Sequence, residues 1–206
     1  MTIQEIFYQF DNQVRESLAN IAYVNSRAFV LADTNMQDKM KALVIVQSFL
    51  SVCAEWEHFL ENSTIWYAMG EPSIKGKIPT KYISPIDEDH ANQIICGASK
   101  YPDWSNLEYV LKTENYLFDQ GEPYKSALNG FSSVFTEIKK VRNVIAHNSK
   151  KSHSEFDTLV RNKLNPSYVG IRPTEFLLQS KGGSPAFYRQ YITHLHNAAM
   201  LIANYQ

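Results

Sequence analysis

The chain has almost nothing with which to staple itself. Its two cysteines, Cys53 and Cys96, sit in apolar contexts with no short metal-ligand spacing around them. Neither a disulfide framework nor a zinc site is expected, and both read as reduced core residues. Glycine and proline number eight each and gather mainly in three stretches, 70–85, 121–123 and 165–185. The long segments between carry few breakers, which excludes a fold of many short strands and favours helices. The uncharged run from Ala42 to Ala54 falls well short of the roughly 20 residues a spanning helix needs, and no segment reads as a secretory signal. A cytoplasmic protein with no membrane segment is expected. Net charge is −1, which argues against holding nucleic acid through overall positive charge. There is no internal repeat and no low-complexity tract.

What is present is apolar surface. Hydrophobic residues make up 44% of the 206 positions and aromatics 13%, enough to offset the entropy of ordering the chain. That length suits one core, so residues 1–206 read as a single domain. Ile3, Ile6, Phe7, Phe10, Val14, Leu18, Ile21 and Val24 recur at three and four, the period of one helix face. After Asp33-Thr34-Asn35, which offers an N-cap, Met36 to Met69 contains no Gly or Pro and reads as a central buried helix. Gly70 to Pro85 is a long loop with Lys75, Lys77 and Lys81. Asp87-Glu88-Asp89 starts a short helix, residues 101–120 hold another, and Gly121-Glu122-Pro123 is a turn. From Leu128 a long helix runs through Phe131, Phe135, Ile138, Arg142 and Ile145. Ser154–Leu164 and 185–205 complete an all-α bundle of about five to seven helices.

The average charge hides an asymmetry. Residues 139–163 carry Lys139, Lys140, Arg142, Lys150, Lys151, Arg161 and Lys163 against only Glu155 and Asp157. Within this basic stretch, Arg142 stands on an otherwise apolar line, and a charge removed from water needs a partner or a ligand. A structural explanation is snorkelling from the edge of the stripe, or pairing with Glu55, Glu57 or Glu61 on the second helix. A functional explanation is an anionic ligand. His147 follows five residues later, about 140° round a regular helix, whereas Asn143 and His147 share a face. Arg142 and His147 can meet if the helix frays in Asn148-Ser149-Lys150-Lys151-Ser152, or if a second chain brings its own copy alongside. A histidine in a last helical turn lies at the negative end of the macrodipole, a setting suited to proton transfer.

The string Arg142-Asn143-Val144-Ile145-Ala146-His147, near the end of a long helix, resembles the defining motif of HEPN domains (higher eukaryotes and prokaryotes nucleotide-binding). Residues 54–63, AEWEHFLENS, resemble one bacterial branch, the RiboL-PSP-HEPN-like proteins. The resemblance implies an all-α bundle that forms a homodimer with two motifs facing one cleft. It implies an endoribonuclease that cleaves RNA without a metal or cofactor, in bacterial stress or phage defence, with an antitoxin or regulatory protein as a further partner. Arg142 would bind the scissile phosphate, His147 would transfer protons, and Asn143 would orient them, with Lys139, Lys150 and Lys151 holding the RNA. These roles are chemically coherent: an arginine fork matches phosphate, the 2′-hydroxyl is an internal nucleophile, and histidine moves protons. One subgroup adds a tyrosine two residues after the histidine as a target for a nucleotidyltransferase. Ser149 stands there instead, which argues against a toxin–antitoxin pairing of that kind.

Other candidates are weaker. His194 and His196 fall on different helical faces with no acidic residue nearby in sequence, so no metal is expected there. His58 reads as a packing or hydrogen-bonding residue. Gly182-Gly183-Ser184 lacks the strand and the lysine of a phosphate loop and reads as a linker. Most aromatics sit at helical spacing, and Tyr82, Tyr101 and Trp104 are the better candidates for exposed base-stacking platforms. The alternatives to a nuclease are a non-catalytic HEPN-like module that binds nucleotide or protein, and a helical adaptor whose motif is accidental.

Overall fold

The computed structural model describes residues 1–97 and 102–206. The fold is all-α, as the spacing of apolar residues predicts. Helix α1 spans Ile3–Val24, α2 Thr34–Met69, α3 Glu88–Cys96 and α4 Leu107–Leu117. They are followed by α5 Tyr124–Leu128, α6 Ser132–His147, α7 Lys150–Lys163, α8 Pro173–Leu178 and α9 Phe187–Ala203. Among the described residues there is no β-strand, and one isolated antiparallel bridge joins Lys81 to Phe118.

Local chemistry explains the boundaries. The Asp33 carboxylate accepts from the backbone N–H of Asn35 and Met36 at 2.8 and 3.1 Å, which starts α2. Asp87 and Asn106 cap α3 and α4 in the same way. Three expectations need correction. The long helix does not begin at Leu128, because Asn129-Gly130-Phe131 form a 3-10 turn and α6 starts only at Ser132. Helix α7 begins at Lys150 rather than Ser154, because Ser149 and Ser152 form a reciprocal capping box. The Gly/Pro-rich stretch 165–185 also holds a short helix, α8, opened by Pro173 at a position where its missing N–H costs nothing.

The long loop after α2 is tied down by backbone and side chains. Ile74 N–H donates to the Ala203 carbonyl at 2.8 Å, and Ser73 Oγ donates to the Tyr205 carbonyl at 2.7 Å. Two of its three lysines have structural work: Lys81 Nζ donates to the Ala68 carbonyl in the last turn of α2, and Lys77 Nζ lies 4.3 Å from the centre of the Tyr205 ring.

Two compact units form. The first comprises Met1–Asp11, Glu55–Thr136 and Leu195–Gln206. Its core contains Ile3, Ile6 and Phe10 with the stacked pair Trp56 and Phe135, ring centres 5.5 Å apart. Phe118, Tyr67 and Tyr124 fill the remainder, and Tyr67 donates to the Ile202 carbonyl at 2.7 Å. Burial raises the pKa of both tyrosine hydroxyls. The second unit comprises Asn12–Ala54 and Glu137–His194. A continuous aromatic file runs through it: Phe156 edge-on to Phe176, Phe176 stacked on Phe187 at 4.7 Å, then Tyr191 and Phe49.

Helix α2 is not buried along its whole length. Ile45, Phe49, Val52 and Cys53 are buried, but Met36, Met40 and Leu43 are 50%, 39% and 60% exposed. An 18-residue window of this helix has mean hydropathy 1.2, so by length and composition it could cross a membrane, although 44% of that window is buried in the fold. Cys53 is buried and Cys96 half-buried, and neither forms a disulfide among the described residues.

Candidate active site

Helix α6 presents Ile138, Val141 and Val144 to the interior, at 6%, 0% and 3% exposure. Arg142 lies beside this stripe rather than on it, and Arg142, Asn143 and Ile145 are half-buried. This corrects the sequence reading, which put Arg142 in the apolar line. The periodicity of three and four admits either neighbour, and the two β-branched valines take the buried side. Arg142 is therefore an edge arginine whose stem packs and whose head reaches water.

Helix α6 stays regular through His147, its last residue. Arg142 and His147 nevertheless meet: Arg142 Nη1 is 3.1 Å from His147 Nε2 and 3.3 Å from Asn143 Oδ1. Neither fraying nor a second chain is needed, because the arginine side chain is long enough to bridge five residues at a helix end. Since a guanidinium can only donate, Nε2 accepts in this arrangement and the imidazole carries its proton on Nδ1. His147 is exposed. One donor head thus gathers all three motif side chains at an open surface.

The turn after the site is built from backbone strain and capping. Asn148 has φ +44°, in the left-handed region that asparagine tolerates better than most residues. Its Oδ1 accepts from His153 Nε2 at 2.7 Å. Ser149 Oγ accepts from Ser152 N–H at 3.1 Å while Ser149 N–H donates to Ser152 Oγ at 2.9 Å. Farther along, the Glu137 carboxylate receives Tyr191 OH at 3.1 Å and Lys163 Nζ at 2.7 Å, which ties α6 to α7 and α9. Burial first, and then the Glu137 charge, push the Tyr191 hydroxyl well above its usual range.

Of the three lysines expected to hold RNA, Lys139 is half-buried and Lys150 and Lys151 are exposed. Lys151 sits 3.9 Å from Glu155, a contact across solvent, while Lys150 lines an open depression of about 490 Å³ with Asn148, His153, Asp157 and Arg161. That depression was missed from sequence. Its signal was polar residues at 150, 153, 154, 157, 158 and 161, a helical face concealed by placing the start of α7 four residues too late.

The remaining candidates resolve individually. Trp104 is 5% exposed and packs edge-on against Tyr109 at 5.9 Å, so it is a core residue and not a stacking platform. Tyr82 is 61% exposed, its hydroxyl donating to Asp119 at 2.7 Å. Tyr101 lies outside the described residues. His58 is near Glu55 at 3.6 Å, and His196 Nε2 contacts Asp11 Oδ1 at 2.8 Å. Gly182 and Gly183 form a turn before α9. Among the described residues no group of three or more His, Cys, Asp or Glu is placed to hold a metal ion.

Compared with protein-family models, with curated proteins and with solved structures, the chain matches none.

Proposed function

We propose that this chain is a metal-independent endoribonuclease that cleaves RNA through a composite Arg/His site at a homodimer interface, in a cytoplasmic stress- or phage-defence setting. The observation that carries the reading is the 3.1 Å approach of Arg142 Nη1 to His147 Nε2 at an exposed helix end. It puts a phosphate-binding fork and a proton acceptor within reach of one small anion.

In the reaction, a backbone phosphate of the RNA replaces His147 as the partner of the Arg142 guanidinium, which then neutralises charge building on the phosphoryl oxygens. The freed Nε2 takes the proton of the adjacent 2′-hydroxyl. The 2′-oxygen attacks phosphorus, the bond to the 5′-oxygen breaks, and that oxygen leaves with a proton from His147 of a second copy in the dimer. The products are a 2′,3′-cyclic phosphate and a free 5′-hydroxyl. Asn143, through its contact with Arg142, fixes the direction of the fork. Lys139, Lys150 and Lys151 supply positive potential for the strand.

Incubating the wild type, Arg142→Ala and His147→Ala with RNA in EDTA tests this. Cutting by the wild type alone, with cyclic-phosphate ends, is expected. Intact RNA with the wild type, or equal cutting by all three, rejects it. A second reading, a non-catalytic module that binds nucleotide or protein, draws on the same contact: Arg142, Asn143 and His147 already satisfy one another in the absence of any ligand.

A further inference from the structure

Helix α7 carries a polar face of which the proposed chemistry uses only Lys150. Asn148, Lys150, His153, Asp157 and Arg161 line one side of an open depression of about 490 Å³. The depression begins at Asn148, the residue that follows His147, about 3.8 Å away between Cα atoms. Lys150 and Arg161 are exposed, and neither has an ion-pair partner among the described residues. They stand eleven residues apart, about 16 Å along the helix axis. One strand of stacked nucleic acid places a phosphate about every 3.4 Å, so this distance spans several nucleotides and far exceeds a single phosphate.

The Asp157 carboxylate lies between these two cations. It would repel a phosphate, so a strand that follows the groove must offer it a donor instead, and a 2′-hydroxyl is such a donor on every nucleotide of RNA and none of DNA. His153, held by Asn148 Oδ1 at 2.7 Å, keeps its ring fixed beside the groove, as a base-stacking surface needs.

We infer that this face of α7 binds a single-stranded stretch of RNA next to the cleaved phosphate, with Lys150 and Arg161 on phosphates and Asp157 accepting from a 2′-hydroxyl. The inference rests on the ribonuclease reading for the position of the cleaved phosphate but not for binding itself. The site takes oligonucleotides of several residues and not mononucleotides.

The test is fluorescence anisotropy of a labelled, unstructured RNA of about ten nucleotides in EDTA, in a His147→Ala background so that the probe stays intact. Lys150→Ala and Arg161→Ala are each expected to weaken binding about tenfold at low salt and to flatten the dependence of log Kd on log salt by about 0.7. Lys125→Ala, an equal loss of charge on α5, leaves binding unchanged. DNA of the same sequence binds more weakly than RNA, and Asp157→Asn narrows that gap. Wild-type affinity in both the Lys150 and Arg161 variants overturns the groove, and equal binding of RNA and DNA overturns the role of Asp157. A chain that binds through the groove but does not cut loses the nuclease reading and keeps this one. A chain that cuts while both variants bind normally does the reverse.

Discussion

His147 Nε2 accepts from Arg142 Nη1 across 3.1 Å, although a regular helix turns the two positions about 140° apart. The contact exists because His147 is the last residue of α6 and nothing beyond it on the helix blocks the guanidinium. It also defines what a ligand must do. An anion entering the site takes the fork from the imidazole and leaves Nε2 with a free lone pair beside it.

Removing either side chain should therefore slow cleavage sharply and leave the fold alone. Arg142→Ala and His147→Ala are expected to lower kcat by about 10²- to 10³-fold, the usual scale for losing an oxyanion donor or an acid–base group. Arg142→Lys keeps the charge but not the planar fork, and should still lose about tenfold or more. EDTA should leave the wild-type rate unchanged. Initial rates on a short RNA, with circular dichroism to verify folding, measure all four.

The turn that ends α6 should respond to backbone chemistry more than to side-chain loss. Asn148→Gly and Asn148→Ala both delete the contact with His153, but only alanine must also adopt φ +44° with a Cβ. The alanine variant should be less stable than the glycine variant by about 1 kcal/mol. Ser149→Ala removes half of the capping box and should cost about 1 kcal/mol. Urea denaturation of the three variants gives both differences, and equal stability of Asn148→Gly and Asn148→Ala rejects the strain argument.

Helix periodicity made α1, α2 and α9 legible in the sequence, because Ile3, Phe10, Val14 and Ile21, or Ile192, Leu195, Ala199 and Ile202, repeat over many turns. Boundaries set by single side chains were harder. The Ser149–Ser152 box that starts α7 read as a fraying tail, since two serines in a polar run signal either a cap or a loop. The motif residues could be named from their types, but not their meeting, because a lattice of 100° steps carries no information on how far an arginine side chain bends. Val141 and Arg142 are adjacent at the edge of one stripe, and only packing decided which of them is buried.

The aromatic file of the second unit carries its stability. Phe176 is fully buried, stacked on Phe187 at 4.7 Å and edge-on to Phe156 at 5.4 Å. Phe176→Ala should cost about 3–5 kcal/mol, a lost transfer term plus a cavity, whereas Phe176→Leu should cost clearly less. Thermal melts rank the two, and an alanine variant as stable as the wild type would show that α8 contributes nothing to this core.

The first unit contains a buried carboxyl whose protonation links stability to pH. Glu114 is fully buried; Thr64 Oγ1 donates to its Oε1 at 2.6 Å, and Oε2 has no hydrogen-bond partner among the described residues. Burial raises its pKa well above the ordinary carboxylate value, and the Thr64 bond only partly opposes this. The folded state therefore holds this proton more tightly than the unfolded chain does. Its contribution to stability is fully present below the unfolded value of 4.5 and is lost as pH rises through the folded value. The loss has a limiting slope of about 1.4 kcal/mol per pH unit. Glu114→Gln keeps the acceptor for Thr64 but cannot ionise, so it should be more stable than the wild type at neutral pH and nearly equal to it near pH 4. Denaturation midpoints measured from pH 4 to 8 decide the matter: parallel curves for the two proteins mean that Glu114 is not held protonated by the fold.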